Sequence, residues 1–242
     1  MKRCLLIAAA VSLLSIATSQ AGLLEDVTKG LGLQEQSSSL DDATIAKGLK
    51  EALAVGTERA VTAVSKPDGF FGNQLIKILM PEKIQNVANL LGKMGFQSQV
   101  DEFVLSMNTA AEKAAPKAAS YFADAIREMT IADARKILQG GNTAATEYLR
   151  QKTGTKIQNS FKPAVTKSLN EVGATRSYNQ LMETYATVPF APRESLDLDT
   201  YVTGKAVDGL FLMLGEEEKK IRTDPAARAT ELLKNVFGAA AR

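Results

Sequence analysis

Two sets of polar side chains in the sequence share a helix face and could act together. Asn108 and Glu112 lie four residues apart in Met107-Asn108-Thr109-Ala110-Ala111-Glu112, so a helix projects both from one side. The positions around them are small, which lets another element approach closely. On such a seam an amide or carboxylate must be satisfied across it or exposed at its edge, because a buried group without a partner costs about 1–3 kcal/mol. Tyr201, Lys205, Asp208 and Leu212 also follow helical spacing, which puts a phenol, an ammonium and a carboxylate in one polar stripe beside the apolar stripe of Val202, Ala206 and Met213. Tyr201 and Lys205 have the Tyr-x-x-x-Lys spacing by which short-chain dehydrogenases lower a tyrosine pKa. That chemistry needs a parallel sheet and a glycine-rich dinucleotide loop, and the chain offers neither. The stripe therefore reads as a packing network or as a surface for recognition. With Arg222 added, the candidate binding residues are Tyr201, Lys205, Asp208, Arg222, Asn108 and Glu112.

The residue inventory removes most catalytic designs. There is no histidine, so the usual general base, the middle of a hydrolase triad and the commonest metal ligand are missing. The single cysteine, Cys4, lies at the extreme N-terminus, and zinc-type sites built from His and Cys are closed off. Only hard cations on carboxylates remain, and no segment has the spaced oxygen ligands and glycine of a calcium loop. No metal or cofactor is expected. Asp197-Leu198-Asp199 reads as a helix cap, and Glu216-Glu217-Glu218 as a solvated face with Glu216 paired to Lys220 one turn on. A glycosidase or lyase acting on cell-wall material would need a carboxylic acid of raised pKa in a cleft, usually with aromatic platforms for sugar rings. The chain has no tryptophan.

The N-terminus carries an address. Lys2 and Arg3 precede an apolar run from Leu5 to Ala17 that closes on Ser19-Gln20-Ala21, the three parts of a secretory signal peptide, with cleavage expected between Ala21 and Gly22. Cys4 would leave with residues 1–21. Loss of Lys2 and Arg3 leaves 27 basic against 27 acidic residues, so the formal charge falls from +2 to 0. A nucleic-acid binder carries an excess of Lys and Arg to displace counterions, so nucleic acid is set aside as a partner. No later apolar run approaches the roughly 20 residues of a membrane span. A soluble or peripheral periplasmic protein is expected.

Helical periodicity dominates after Leu40, and no alternating β-branched run supports a sheet; the fold class is all-α. Residues 22–40, with Gln34-Glu35-Gln36-Ser37-Ser38-Ser39, read as a tether, and residues 41–242 as one helical domain. Asp41 or Asp42 caps a first long helix that ends near Pro67 and Gly69. Pro81 opens a helix with Ile84, Val87, Leu91 and Met94 that closes at Gly95, and Ser98 caps the next, which Pro116 kinks or divides. Thr130 and Asp133 form a capping box for a short helix that stops at Gly140-Gly141. Asn142 then caps a helix through Leu149. Separate helices follow over residues 157–172 and around Tyr178 to Tyr185, before an irregular stretch from Thr187 to Ser195. Asp197 or Asp199 starts the penultimate helix. Asp224 and Pro225 start the last, which carries Leu232, Leu233, Val236 and Phe237 and stops at Gly238.

Met107 to Glu112, Met129 to Ala134, Ile137 to Gly140, Ala144 to Tyr148 and the block Leu198 to Phe211 resemble a bacterial family known as domain of unknown function 4197. The likeness continues through Glu217, Ile221-Arg222, Pro225, Arg228 and Leu232-Leu233, and covers about Asp41 to Gly238. The resemblance implies an exported, mostly helical protein of Gram-negative bacteria and brings no activity, substrate or catalytic residue. Gly204 departs from an ordinary helix former, and close packing at that turn is expected to compensate. The function expected is non-catalytic binding of another envelope protein or of a small or lipidic ligand held between helices. The alternatives are a carboxylate-dependent hydrolase or lyase acting on the cell wall, and a purely structural or assembly role.

Overall fold

The computed structural model describes residues 41–187, 197–228 and 230–239. The segments expected to be a signal and a tether, and nearly all of the stretch from Thr187 to Ser195, lie outside them. The described residues are helical, with no strand among them, and pack as one all-α domain. Its elements are α1 (Asp42–Ser65), α2 (Glu82–Leu91), α3 (Gln97–Ala114), α4 (Ala118–Glu128), α5 (Ile131–Gln139), α6 (Ala144–Glu171), α7 (Ala174–Ala186), α8 (Leu198–Thr223) and α9 (Glu231–Ala239).

The starts of α1, α5 and α8 follow from side chains within one turn. Asp41 accepts the amide of Thr44 at 2.6 Å, and Asp197 accepts that of Thr200 at 2.9 Å. Thr130 and Asp133 exchange both bonds of a capping box at the head of α5. Gly95, at φ 93°, takes the left-handed conformation that ends a wide turn after α2. Pro116 divides α3 from α4 through a short 3-10 turn at Ala115–Lys117. Two expected caps are corrected: Ser98 lies inside α3, whose flanking residue is Phe96, and α6 starts after Thr143, not Asn142. Neither start has a side-chain cap of its own. Asp224 caps a 3-10 turn at Pro225–Ala227 and not the last helix, which begins at Glu231 and runs through Gly238.

The largest correction concerns α6, which is one helix of 28 residues where two were expected, with Pro163 inside it. Proline removes one ladder bond and its ring crowds the carbonyl four residues back, at a cost of about 3 kcal/mol. Pro163 lies on the exposed side, while Leu149, Thr153, Ile157, Phe161, Val165 and Leu169 are all buried. That row advances by four residues, so it drifts by about 40° around the helix at each step. One buried line thus winds from α8 toward α3, α4 and α7, and packing on those helices holds α6 together through the proline.

α1, α6 and α8 form the centre, with α3 and α4 against them. Phe122 of α4 meets Phe211 of α8 edge-on, ring centroids 5.6 Å apart, and Phe103 of α3 lies 5.8 Å from Tyr178 of α7. α9 closes on α1 at Gly48, where an added Cβ would come within 2.6 Å of the Val236 side chain. Val236 and Phe237 are buried there; Met94, expected in a buried stripe, is half exposed.

Candidate functional site

Residues 66–81 leave α1 at Lys66 and return to the bundle at α2 with almost no regular structure of their own. Tight turns fold the segment: Asp68 adopts φ 60°, and Gly69 lies so near the Ala63 and Val64 carbonyls that a Cβ would sit 2.6 Å from each. Such a backbone has no ladder for its amides and carbonyls, so side chains of α3 and α8 supply the partners. One Glu112 oxygen accepts the amides of Phe70 and Phe71 at 3.0 and 3.3 Å. The Asn108 amide grips Ile78 at two points, accepting its N–H and donating to its carbonyl, each at 2.8 Å, and it also donates to the Val104 carbonyl at 2.7 Å. Tyr201 donates its hydroxyl to the Leu79 carbonyl at 3.0 Å. Asn73 joins the segment to α8 through Met213.

Three of the six candidate residues, Asn108, Glu112 and Tyr201, therefore converge on this one segment. Asn108 and Glu112 are buried, and burial, reinforced by the charge of Asp68, raises the Glu112 carboxyl above its ordinary range while the Phe70 and Phe71 amides pull it down. Burial likewise raises the Tyr201 phenol, with Glu82 adding to it. That direction is opposite to the activation the Tyr-x-x-x-Lys spacing would require.

The other three candidates point elsewhere, so the stripe is not one network. Lys205 is exposed, its ammonium 5.9 Å from the Tyr201 ring centroid. Asp208 is an exposed partner of Arg150 on α6, at 3.0 Å. Arg222 stands 21 residues after Tyr201 on the same helix, about 30 Å along its axis. There it donates to Glu218 at 2.9 Å and to the Ile137 carbonyl at 2.8 Å. Gly204 meets nothing within 4 Å, which corrects the expectation of close packing at that turn; Gly209 is the tight one, where a Cβ would fall 2.7 Å from the buried Phe70 ring.

The acidic run at 216–218 is also corrected, since Glu217 and Glu218 are buried. Glu217, not Glu216, pairs with Lys220, at 2.7 Å. Glu218 accepts the amides of Ala145 and Thr146 at 2.9 and 2.8 Å and the Thr146 hydroxyl at 2.8 Å. It is the missing cap of α6, reached from another helix, and its charge suits the positive end of the helix dipole. The one sign of it in the sequence is negative: Gly141-Asn142-Thr143 makes a poor start for so long a helix.

The pinned segment displays what it does not bury. Ile76 and Ile78 turn inward, whereas Leu75 and Leu79 are 68% and 61% exposed. Beside them opens a groove of about 460 Å³ lined by Phe71, Leu79, Met80, Val100 and Val104 with Gln85 and Asp101, and Lys77 stacks 3.8 Å from the Phe71 ring centroid. Among the described residues no three acidic, histidine or cysteine side chains gather as a metal site would require, and no helix is long and apolar enough to cross a membrane.

No curated protein and no solved structure matches the chain. A family match spans residues 39–238, and on that span the chain belongs to the family described as Protein of unknown function (DUF4197).

Proposed function

We propose that this is an exported, periplasmic interaction protein without catalytic chemistry, which recognises another envelope protein through residues 66–81. The observation that carries the reading is the use made of the polar candidates: Asn108, Glu112 and Tyr201 are spent on the backbone of that segment. A segment held at several points loses little conformational entropy on binding, and its two exposed leucines beside a groove of mixed apolar and polar lining offer a partner preorganised contacts. Glu112, the acid whose pKa is raised, has its accepting oxygen committed to two backbone amides and is not poised as a general acid. The export half of the proposal rests on Lys2, Arg3, the apolar run and Ser19-Gln20-Ala21.

A photo-crosslinking amino acid at Leu75 or Leu79, irradiated in living cells, is expected to trap one discrete protein in the envelope fraction. The same probe at exposed Lys47 on α1 traps none. Equal labelling from both positions, or none from Leu75 and Leu79, overturns the proposed surface. The intact mass of the protein from the periplasm is expected to begin at Gly22, and a chain that keeps residues 1–21 in the cytoplasm overturns the address.

A further inference from the structure

We propose that a second, independent site binds a phosphate ester: the groove between α6 and the turn that joins α3 to α4. The charge of the chain is unevenly spread. From Tyr148 to Asn170 the sequence holds Arg150, Lys152, Lys156, Lys162 and Lys167 and no acidic residue, in a chain whose residues 22–242 balance 27 basic against 27 acidic side chains. Several of these cations are engaged away from the groove. Arg150 pairs with Asp208, and Lys162 donates to Thr200 beside Asp197. Lys156 and Lys167 instead line a groove of about 590 Å³ together with Lys117 from the facing turn. Neither Lys117 nor Lys156 has an ion-pair partner among the described residues. Lys167 lies 3.7 Å from Glu171, which is also 4.0 Å from Lys113.

The lining specifies the ligand further. Its volume falls within the range of about 300–1,000 Å³ usual for small-molecule sites. The cations are all lysines. Their ammonium groups are compact point charges with three donors each, and three of them can surround a tetrahedral phosphate from different sides. Ser160, Asn159 and Tyr121 add neutral hydrogen-bonding groups to the wall. Pro163, also on the wall, has no N–H, so the Asn159 carbonyl lacks its ordinary helical donor. The Pro163 and Tyr121 rings give the body of the ligand an apolar floor. The recognised chemistry is thus a phosphate joined to a glycerol- or sugar-sized group, free or as a lipid headgroup.

The test titrates the purified protein with glycerol 3-phosphate and, separately, sediments it with vesicles of equal parts phosphatidylglycerol and phosphatidylcholine. Saturable binding to at least one probe is expected, with amide shifts at Asn159 and Ser160. The double variant Lys117→Gln/Lys156→Gln should weaken it about tenfold, while Lys47→Gln/Lys136→Gln, which removes as much charge from exposed positions outside both surfaces, should leave it within about twofold. All four lysines are exposed, so unchanged thermal unfolding is the check that both variants fold. Binding of the soluble ester identifies the phosphate group as sufficient; binding of vesicles alone identifies a lipid headgroup. Binding to neither probe, or equal loss in the two double variants, overturns the site. Substitution of Leu75 or Leu79 leaves this binding intact, which separates it from the protein-recognition segment.

Discussion

Glu112 is a buried acid that acts as a bracket. Glu112→Ala leaves the Phe70 and Phe71 amides without an acceptor and is expected to cost about 1–3 kcal/mol, read as a lower urea midpoint. Glu112→Gln keeps an oxygen for both amides and should cost less. Because burial raises the folded-state pKa, the native protein holds this proton more tightly than the unfolded chain does. The contribution is full below the ordinary value of 4.5 and is lost as pH rises through the raised folded value, so stability from this group declines with rising pH. Urea midpoints across that window should show the decline in the parent and not in Glu112→Gln. Two glycines on α8 respond to substitution with opposite sign, and only Gly209 touches the segment. Gly204→Ala meets open space and should stabilise by about 0.5–1 kcal/mol, whereas Gly209→Ala drives a methyl into Phe70 and should destabilise by about 1–3 kcal/mol. Thermal unfolding of the two variants checks the pair.

At the scale of elements, helix ends are where distant parts of the chain are tied together. α1, α5 and α8 carry their own caps, and the hydrogen bonds from Thr44, Thr130 and Thr200 lower the carboxyls of Asp41, Asp133 and Asp197 below 3.8. These caps act above the ordinary aspartate value and are lost as pH falls through the lowered ones, the opposite trend to Glu112. α6 depends on Glu218 of α8 instead. Glu218→Ala removes three hydrogen bonds from the head of α6 and leaves the Arg222 charge without its ion-pair partner, held by the Ile137 carbonyl at a site where its side chain is 10% exposed. Loss of one partner from a buried pair costs about 3–5 kcal/mol. Hydrogen exchange at the Ala145 and Thr146 amides should accelerate in that variant more than exchange at the head of α5, whose cap is local. Equal acceleration at both heads would mean that Glu218 supports the bundle in general and not α6 in particular.

At the scale of the whole molecule, the described helices share one core, because α1, α6 and α8 each touch several others. A chain that begins at Asp41 is therefore expected to unfold in a single transition at the same urea midpoint as one that begins at Gly22. Two transitions would overturn the single shared core, and a midpoint displaced by more than the error of extrapolation would show that residues 22–40 contribute to stability. The two proposed recognition surfaces are built from different elements of this domain. One is a segment pinned from α3 and α8, and the other is a groove walled by α6 and the α3–α4 turn.

The all-α class, the family likeness, the stops at Pro67, Gly95 and Gly140, and the caps at Asp41, Thr130 and Asp197 were legible in the sequence. Each depends on residues within about one turn of each other or on a period repeated along a single helix, and such signals survive without knowledge of neighbours. The continuity of α6 through Pro163 was decided by packing, because a buried row of six side chains outweighs one lost ladder bond. Asn108 and Glu112 could be read as groups needing partners, but not that the partners are backbone atoms of residues 66–81. Glu218 looked like part of a solvated run, since its partners at Ala145 and Thr146 lie more than 70 residues away. The Tyr201, Lys205 and Asp208 stripe divided for the same reason: helical spacing places side chains on a face, and only the surrounding elements determine what each of them meets.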